Sequence, residues 1–164
     1  MCLIASRSLS PNWNTVYKST QFKIVRDNAN NESVFQWSAR RLLYTPRHFV
    51  QAVCSLTERK PFWPGDSVPE GAEVNQGLHT LGSLADARKF LALMQTFEAV
   101  RHLDLALKII RVEGYRNGYI ASGHFANDPL PYIQRVTNHV WASLYVPKDC
   151  HVLEPEKEEL APCA

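Results

Sequence analysis

Apolar residues recur along this chain at two periods, and the change of period marks its elements. In "TVYKSTQFKIVRD", Phe22, Ile24 and Arg26 alternate with Lys23 and Val25, the period of a strand. "MCLIA" is a short apolar run of the same kind. After the turn "NANNE", "SVFQWSA" is expected to return as a hairpin partner. Leu103, Leu105, Leu107 and Ile109 alternate strictly against Asp104, Ala106 and Lys108, which predicts a strand with one covered face. Asn117-Gly118 then reads as a hairpin turn into "YIASGHF". In "YIQRVTNHVWASLYV", Val140, Ala142, Leu144 and Val146 fall on one face, and Trp141, Ser143 and Tyr145 on the other.

Two stretches follow the helical period. In "TPRHFVQAVCSLTERK", Thr45 and Pro46 make an N-cap and first-turn pair. Phe49, Val50, Val53, Cys54 and Leu56 share one helical face, opposite Arg47, Gln51, Ser55 and Glu58. In "NQGLHTLGSLADARKFL" a short strand, "QGLHTL", stops at Gly82-Ser83. Ser83 is placed to cap, Asp86 follows three positions on, and Leu84, Ala87, Leu91 and Met94 form a stripe. Between the two helices, residues 57–76 keep neither period. They carry three prolines and two glycines and read as a long loop with Phe62 and Trp63 at its middle. Strands, helix, loop, strand, helix and strands in that order predict an α+β single domain. It would be a mainly antiparallel β-sheet with two helices packed on one face.

Composition narrows this picture. The chain has 164 residues, 45% of them hydrophobic, enough for one domain with a core. Residues 147–164 hold five acids and two bases, so 148–164 is expected to be an acidic, flexible tail on a domain spanning 1–147. The rest carries 16 bases and 11 acids without a basic stripe, which disfavours nucleic acid as a partner. No apolar run approaches the ~18 residues of a membrane span, and "MCLIASRSLSP" is too short and polar for a secretory signal. Cys2, Cys54, Cys150 and Cys163 are irregularly spaced, which fits free thiols in the cytoplasm.

Strong catalytic spacings are missing. The six histidines form no metal-binding motif, no glycine-rich phosphate loop is present, and no cofactor is expected. His79, His124 and His139 fall in predicted strands. Ser122 and His124, two apart in "ASGHF", share a face. "MCLI" resembles the opening of class II glutamine amidotransferases over four residues, with Leu3 where their glycine stands. That resemblance implies loss of Met1 and a Cys2 nucleophile served by its own amine. "GLHTLGSLADA" resembles a strand and serine-led helix of small ADP-ribosyltransferase domains, with His79 at the aromatic position and Glu113 the nearest candidate for their catalytic glutamate. The residues favour a binding module for a small molecule or a protein partner. Its pocket would lie between the sheet and the 57–76 loop, with Tyr17, Phe62, Trp63, Tyr119, Ser122 and His124 as ligand contacts. The alternative is a small hydrolase or transferase using Cys2 or His79. His79 stands out because a strand core would sooner place Leu or Val there.

Overall fold

The computed structural model describes residues 3–34, 41–56, 61–101, 106–125 and 135–152. The alternating segments become β1 (Leu3–Ala5), β2 (Lys18–Arg26), β3 (His48–Gln51), β4 (Cys54–Leu56) and β5 (Pro61–Phe62). They continue as β6 (Glu73–Gln76), β7 (Leu78–Leu81), β8 (Leu107–Tyr115), β9 (Tyr119–Phe125), β10 (Asn138–Trp141) and β11 (Ser143–Val146). All eleven join one antiparallel sheet in the order β3-β11-β8-β2-β7-β10-β9-β1-β6-β4-β5.

That order forces the sheet to curl. β3 lies at one end and β4 next to the other, yet only Ala52 and Val53 separate them along the chain. Such a link reaches about 11 Å at most, so the two ends must meet. The corners are made by segments that change partner at a bend. β10 pairs with β7 and β9, and β11, one residue on, pairs with β3 and β8. Ala142 is the bend, and its amide donates to the Gly118 carbonyl while its own carbonyl accepts from Ala52.

One helix longer than a single turn is present among the described residues, α1 (Leu84–Met94); Glu98–Arg101 forms one further turn, α2. The Ser83 hydroxyl accepts from the Asp86 amide at 3.1 Å and caps α1. Ala87, Phe90 and Met94 pack with Ile24, Leu81 and Phe125 on one side of the sheet. On the other side Val25, Tyr44, Leu78, Ile110, Val112 and Trp141 form a second cluster, so β2 and β8 are covered on both faces. A polar seam crosses that cluster. The Trp141 indole donates to Thr80 (2.8 Å), Thr80 to the Gln21 amide oxygen (2.8 Å), Gln21 to Ser19 (2.8 Å), and Ser19 to the Asn12 carbonyl (2.6 Å). Each of these fully buried groups thereby keeps a partner.

Over 45–56, the described part of the helix predicted for residues 45–60, no helix is formed; a turn, β3 and β4 stand there. Thr45 to His48 is a turn, closed by the His48 amide on the Thr45 carbonyl, with Arg47 at φ 68°. Pro46 therefore occupies the second position of a type II turn rather than a helix start. Val50 and Cys54 both point inward, four apart, because the strand breaks at Ala52–Val53. The break imitates a helical interval. β8 and β9 are not a hairpin either: they lie in different parts of the sheet, joined through Arg116–Gly118. The expected loop contains β5 and β6, and Val74 of β6 is fully buried. Trp141 and Leu144 share a cluster although the alternation put them on opposite faces, since the bend at Ala142 resets the register. Residues 35–40 of the expected hairpin partner, 102–105 and 153–164 lie outside the described residues. No helix among the described residues is long and apolar enough to cross a membrane.

Candidate functional site

An open cleft of about 450 Å³ lies where β1 and β9 meet the segment between β5 and β6. That volume is in the usual range for a small-molecule site. Arg7, Asp66, Ser67, Arg116, Tyr119 and Ser122 line it. Ser122 is the direct cross-strand partner of His139 on β10, and its hydroxyl lies 2.6 Å from His139 Nδ1. The ladder then slips between Val140 and Trp141, which brings Tyr119 opposite Trp141 and its hydroxyl within 2.6 Å of Ser122. The result is a Tyr119–Ser122–His139 chain leading inward from the cleft. Burial lowers the His139 pKa to about 4, so the imidazole is neutral at pH 7.

Two cations flank this chain. The Arg116 guanidinium lies 4.9 Å from the Trp13 ring, and Trp13 sits edge-on to Tyr119 and Trp141. Arg7 donates its amide to Glu70. Neither guanidinium is paired with a carboxylate among the described residues. Asp66, the acid lining the cleft, accepts from the Trp63 amide.

The expected ligand contacts do not converge elsewhere. Phe62 packs on the cluster of Leu3, Cys54 and Val74, and Trp63 is 61% exposed; both border a separate cleft of about 380 Å³. Tyr17, 59% exposed, stacks on Tyr115 in an outer aromatic strip with Phe49 and Tyr145. His124 Nδ1 contacts the Val136 carbonyl at 3.1 Å, not Ser122. Among the described residues no three His, Cys, Asp or Glu side chains gather as a metal would require. Cys2 lies outside the described residues.

His79 occupies a third place, a cavity of about 60 Å³ between the sheet and α1. Its ring stacks on Phe125, which stacks on Phe90. Nδ1 lies 3.1 Å from the Gly77 carbonyl and donates to it, so Nε2 is the unprotonated acceptor. Nε2 is buried and has no partner among the described residues. Burial, then the Lys23 ammonium, lowers the His79 pKa to about 3. Lys23 also lines the cavity and donates to the His79 carbonyl at 2.7 Å. Burial lowers its pKa to about 8. Glu113 does not line the cavity; it pairs with Lys18 at 3.4 Å.

These two histidines set an acid limit. An unfolded histidine takes up its proton near pH 6.5, whereas His79 and His139 resist it down to about 3 and about 4. Between those values the unfolded state binds more protons, so stability falls as pH falls. The slope approaches ~1.4 kcal/mol per pH unit for each fully shifted histidine. Denaturant titrations at pH 7 and pH 5 are expected to show a clear loss at pH 5. Equal midpoints would mean that neither imidazole is held neutral.

Arg7, Lys23 and Arg116 were not legible as site residues in the sequence, where His139 stood out only as one of three strand histidines. Of these cations Lys23 alone left a trace, set inside the apolar run "QFKIV". No protein-family model, no curated protein and no solved structure matches this chain.

Proposed function

We propose that this protein is a binding module for a small anionic molecule, received in the cleft between the sheet and the segment that links β5 to β6. The observation that carries this reading is the pair of guanidiniums, Arg7 and Arg116. They flank a cleft of about 450 Å³ without a carboxylate partner among the described residues. Arginine presents a rigid fork of donors that suits carboxylate and phosphate oxygens. Tyr119 adds a hydroxyl at the inner wall, and its bond to Ser122 fixes where that hydroxyl stands. Stacking on Trp13 holds Arg116 in place before a ligand arrives, which reduces the ordering cost of binding.

The alternative, a hydrolase or transferase, has less support. A histidine with a pKa of about 3 gains little by accepting a proton at neutral pH, so His79 makes a poor general base. Ser122 is 2% exposed, which favours a structural hydroxyl over a nucleophile. The free, buried thiols of Cys54 and Cys150 fit a reducing compartment, and with it a cytoplasmic protein.

Calorimetric titration with inorganic phosphate, acetate and AMP tests the reading. At least one of these anions is expected to bind saturably and more weakly as salt rises. Arg7→Ala and Arg116→Ala should each weaken it about tenfold, the loss of one charge-assisted contact. A double variant that titrates like the wild type would remove the cleft from consideration.

A further inference from the structure

The Lys23–His79 cavity carries chemistry of its own, independent of the arginine cleft. We infer that it is a binding site for a short 2-hydroxycarboxylate, with Lys23 on the carboxylate and His79 Nε2 on the hydroxyl. Three observations define the complement. The Lys23 ammonium has a backbone carbonyl, that of His79, and the Tyr44 ring at 5.5 Å as its partners, and no carboxylate among the described residues. Its charge therefore has no opposite charge beside it in a cavity whose remaining wall is Ser33, Asn138 and the apolar Ile24, Val34, Leu81, Phe90, Met94 and Phe125. An anion restores the balance that burial withdrew.

His79 fixes the second group. With Nδ1 committed to the Gly77 carbonyl, Nε2 can only accept. Without a partner among the described residues, it carries a desolvation cost that a ligand donor would remove. A hydroxyl supplies that donor without charge. An ammonium group would supply it too, but would add a second cation beside Lys23. A 2-hydroxy acid is thus favoured over an amino acid of the same size. The cavity of about 60 Å³ has room for roughly four to six non-hydrogen atoms at ~10–15 Å³ for each water-sized sphere, which limits the chain to two or three carbons.

The full chain is titrated calorimetrically with lactate, propionate, lactamide and alanine. Lactate is expected to bind. Propionate lacks the hydroxyl, lactamide the charge, and alanine replaces the hydroxyl with a cation. Each should bind about tenfold more weakly or worse, the effect of leaving one buried polar partner unmet. Lys23→Met keeps the unbranched apolar stem, removes the ammonium, and should abolish lactate binding in a protein whose circular dichroism is unchanged. His79→Phe keeps the ring stack on Phe125 and should make lactate and propionate equivalent. Equal binding of lactate, propionate and lactamide by the wild type would overturn the assignment. So would the absence of any heat with lactate, which would leave the cavity to water. Lactate binding that survives Lys23→Met but fails in Arg7→Ala would place the ligand in the arginine cleft instead. Lactate binding that is lost with Lys23 while phosphate, acetate and AMP fail to bind would uphold this site and reject the cleft.

Discussion

Trp141→Ala is expected to lower folding stability by about 3–5 kcal/mol, the range for emptying a large aromatic site in a core. Trp141 is fully buried at the end of β10, where the ladder slips before the bend at Ala142. Its ring meets Trp13 and Tyr119 edge-on, at 5.9 and 5.3 Å between centroids. The residue that makes room for it is Gly114, where a Cβ would lie 2.4 Å from the indole. No side chain at position 114 stands ready to collapse into the vacated space. The indole N–H is also the first donor of the polar seam. Without it, Thr80 loses a partner in a place water does not reach, and the seam through Gln21 and Ser19 loosens. Trp141→Phe would restore most of the ring but not the donor. It should therefore recover part of the loss and leave a deficit of about 1–3 kcal/mol. Guanidinium denaturation followed by circular dichroism measures both. A loss below about 1 kcal/mol for Trp141→Ala would show that the site repacks, contrary to the geometry around Gly114.

Gly123→Ala is the second large effect, and it arises from backbone rather than side-chain packing. A Cβ on Gly123 would lie 1.9 Å from the Ile4 carbonyl oxygen and 3.2 Å from the Ala5 Cα. These are main-chain atoms of β1, the strand paired with Gly123 itself, so no rotamer change relieves the contact. β1 has to move away from β9. That separates the Ser6 amide from the Ser122 carbonyl, bonded at 2.9 Å, and disturbs the fully buried Leu3. The cost should reach the exceptional end of single substitutions, above about 4 kcal/mol. Amide hydrogen exchange locates the damage: Leu3, Ile4 and Ala5 should lose protection before the strands under α1 do. If those amides stay protected and the melting temperature shifts by less than about 4 °C, β1 is not held as closely as the structure shows.

Much of the fold was legible because its strongest signals are local. The Ser83 cap, the Ala87 and Met94 positions of the α1 stripe (its third buried member is Phe90) and the β2 alternation depend on residues within a few positions of one another. What escaped the sequence depends on partners far along the chain. Val50 and Cys54 look helical because a strand break happens to give them an interval of four, and only β11 and β6 reveal them as strand residues. Asn117-Gly118 has the chemistry of a tight turn, yet the strands it joins belong to different neighbours. The site was legible in part. Tyr119 and Ser122 do stand together at a cleft, but the residue that completes their chain is His139, which the register supplies and the spacing hides. His79 was singled out because a polar ring was unexpected in a strand, and its Nε2 has no partner among the described residues. Lys23, its neighbour in the cavity, could not be found that way, since a lysine in an alternating strand normally faces water.

The curled sheet also governs how this chain reaches its native state. Leu3 pairs with Phe125, about 120 positions away, and the join between β3 and β4 closes only when β11 and β6 are both in place. Such contacts confer little until the loops between them have been closed, so their entropy is lost before their energy is gained. Local elements such as α1 form early and must wait for partners. β1, whose partners all lie far along the chain, stays unpaired the longest and leaves the facing edge of β9 open to other chains. Slow, concentration-sensitive refolding is thus built into the strand order, and the pairing of β1 with β9 and β6 is what ends that exposure.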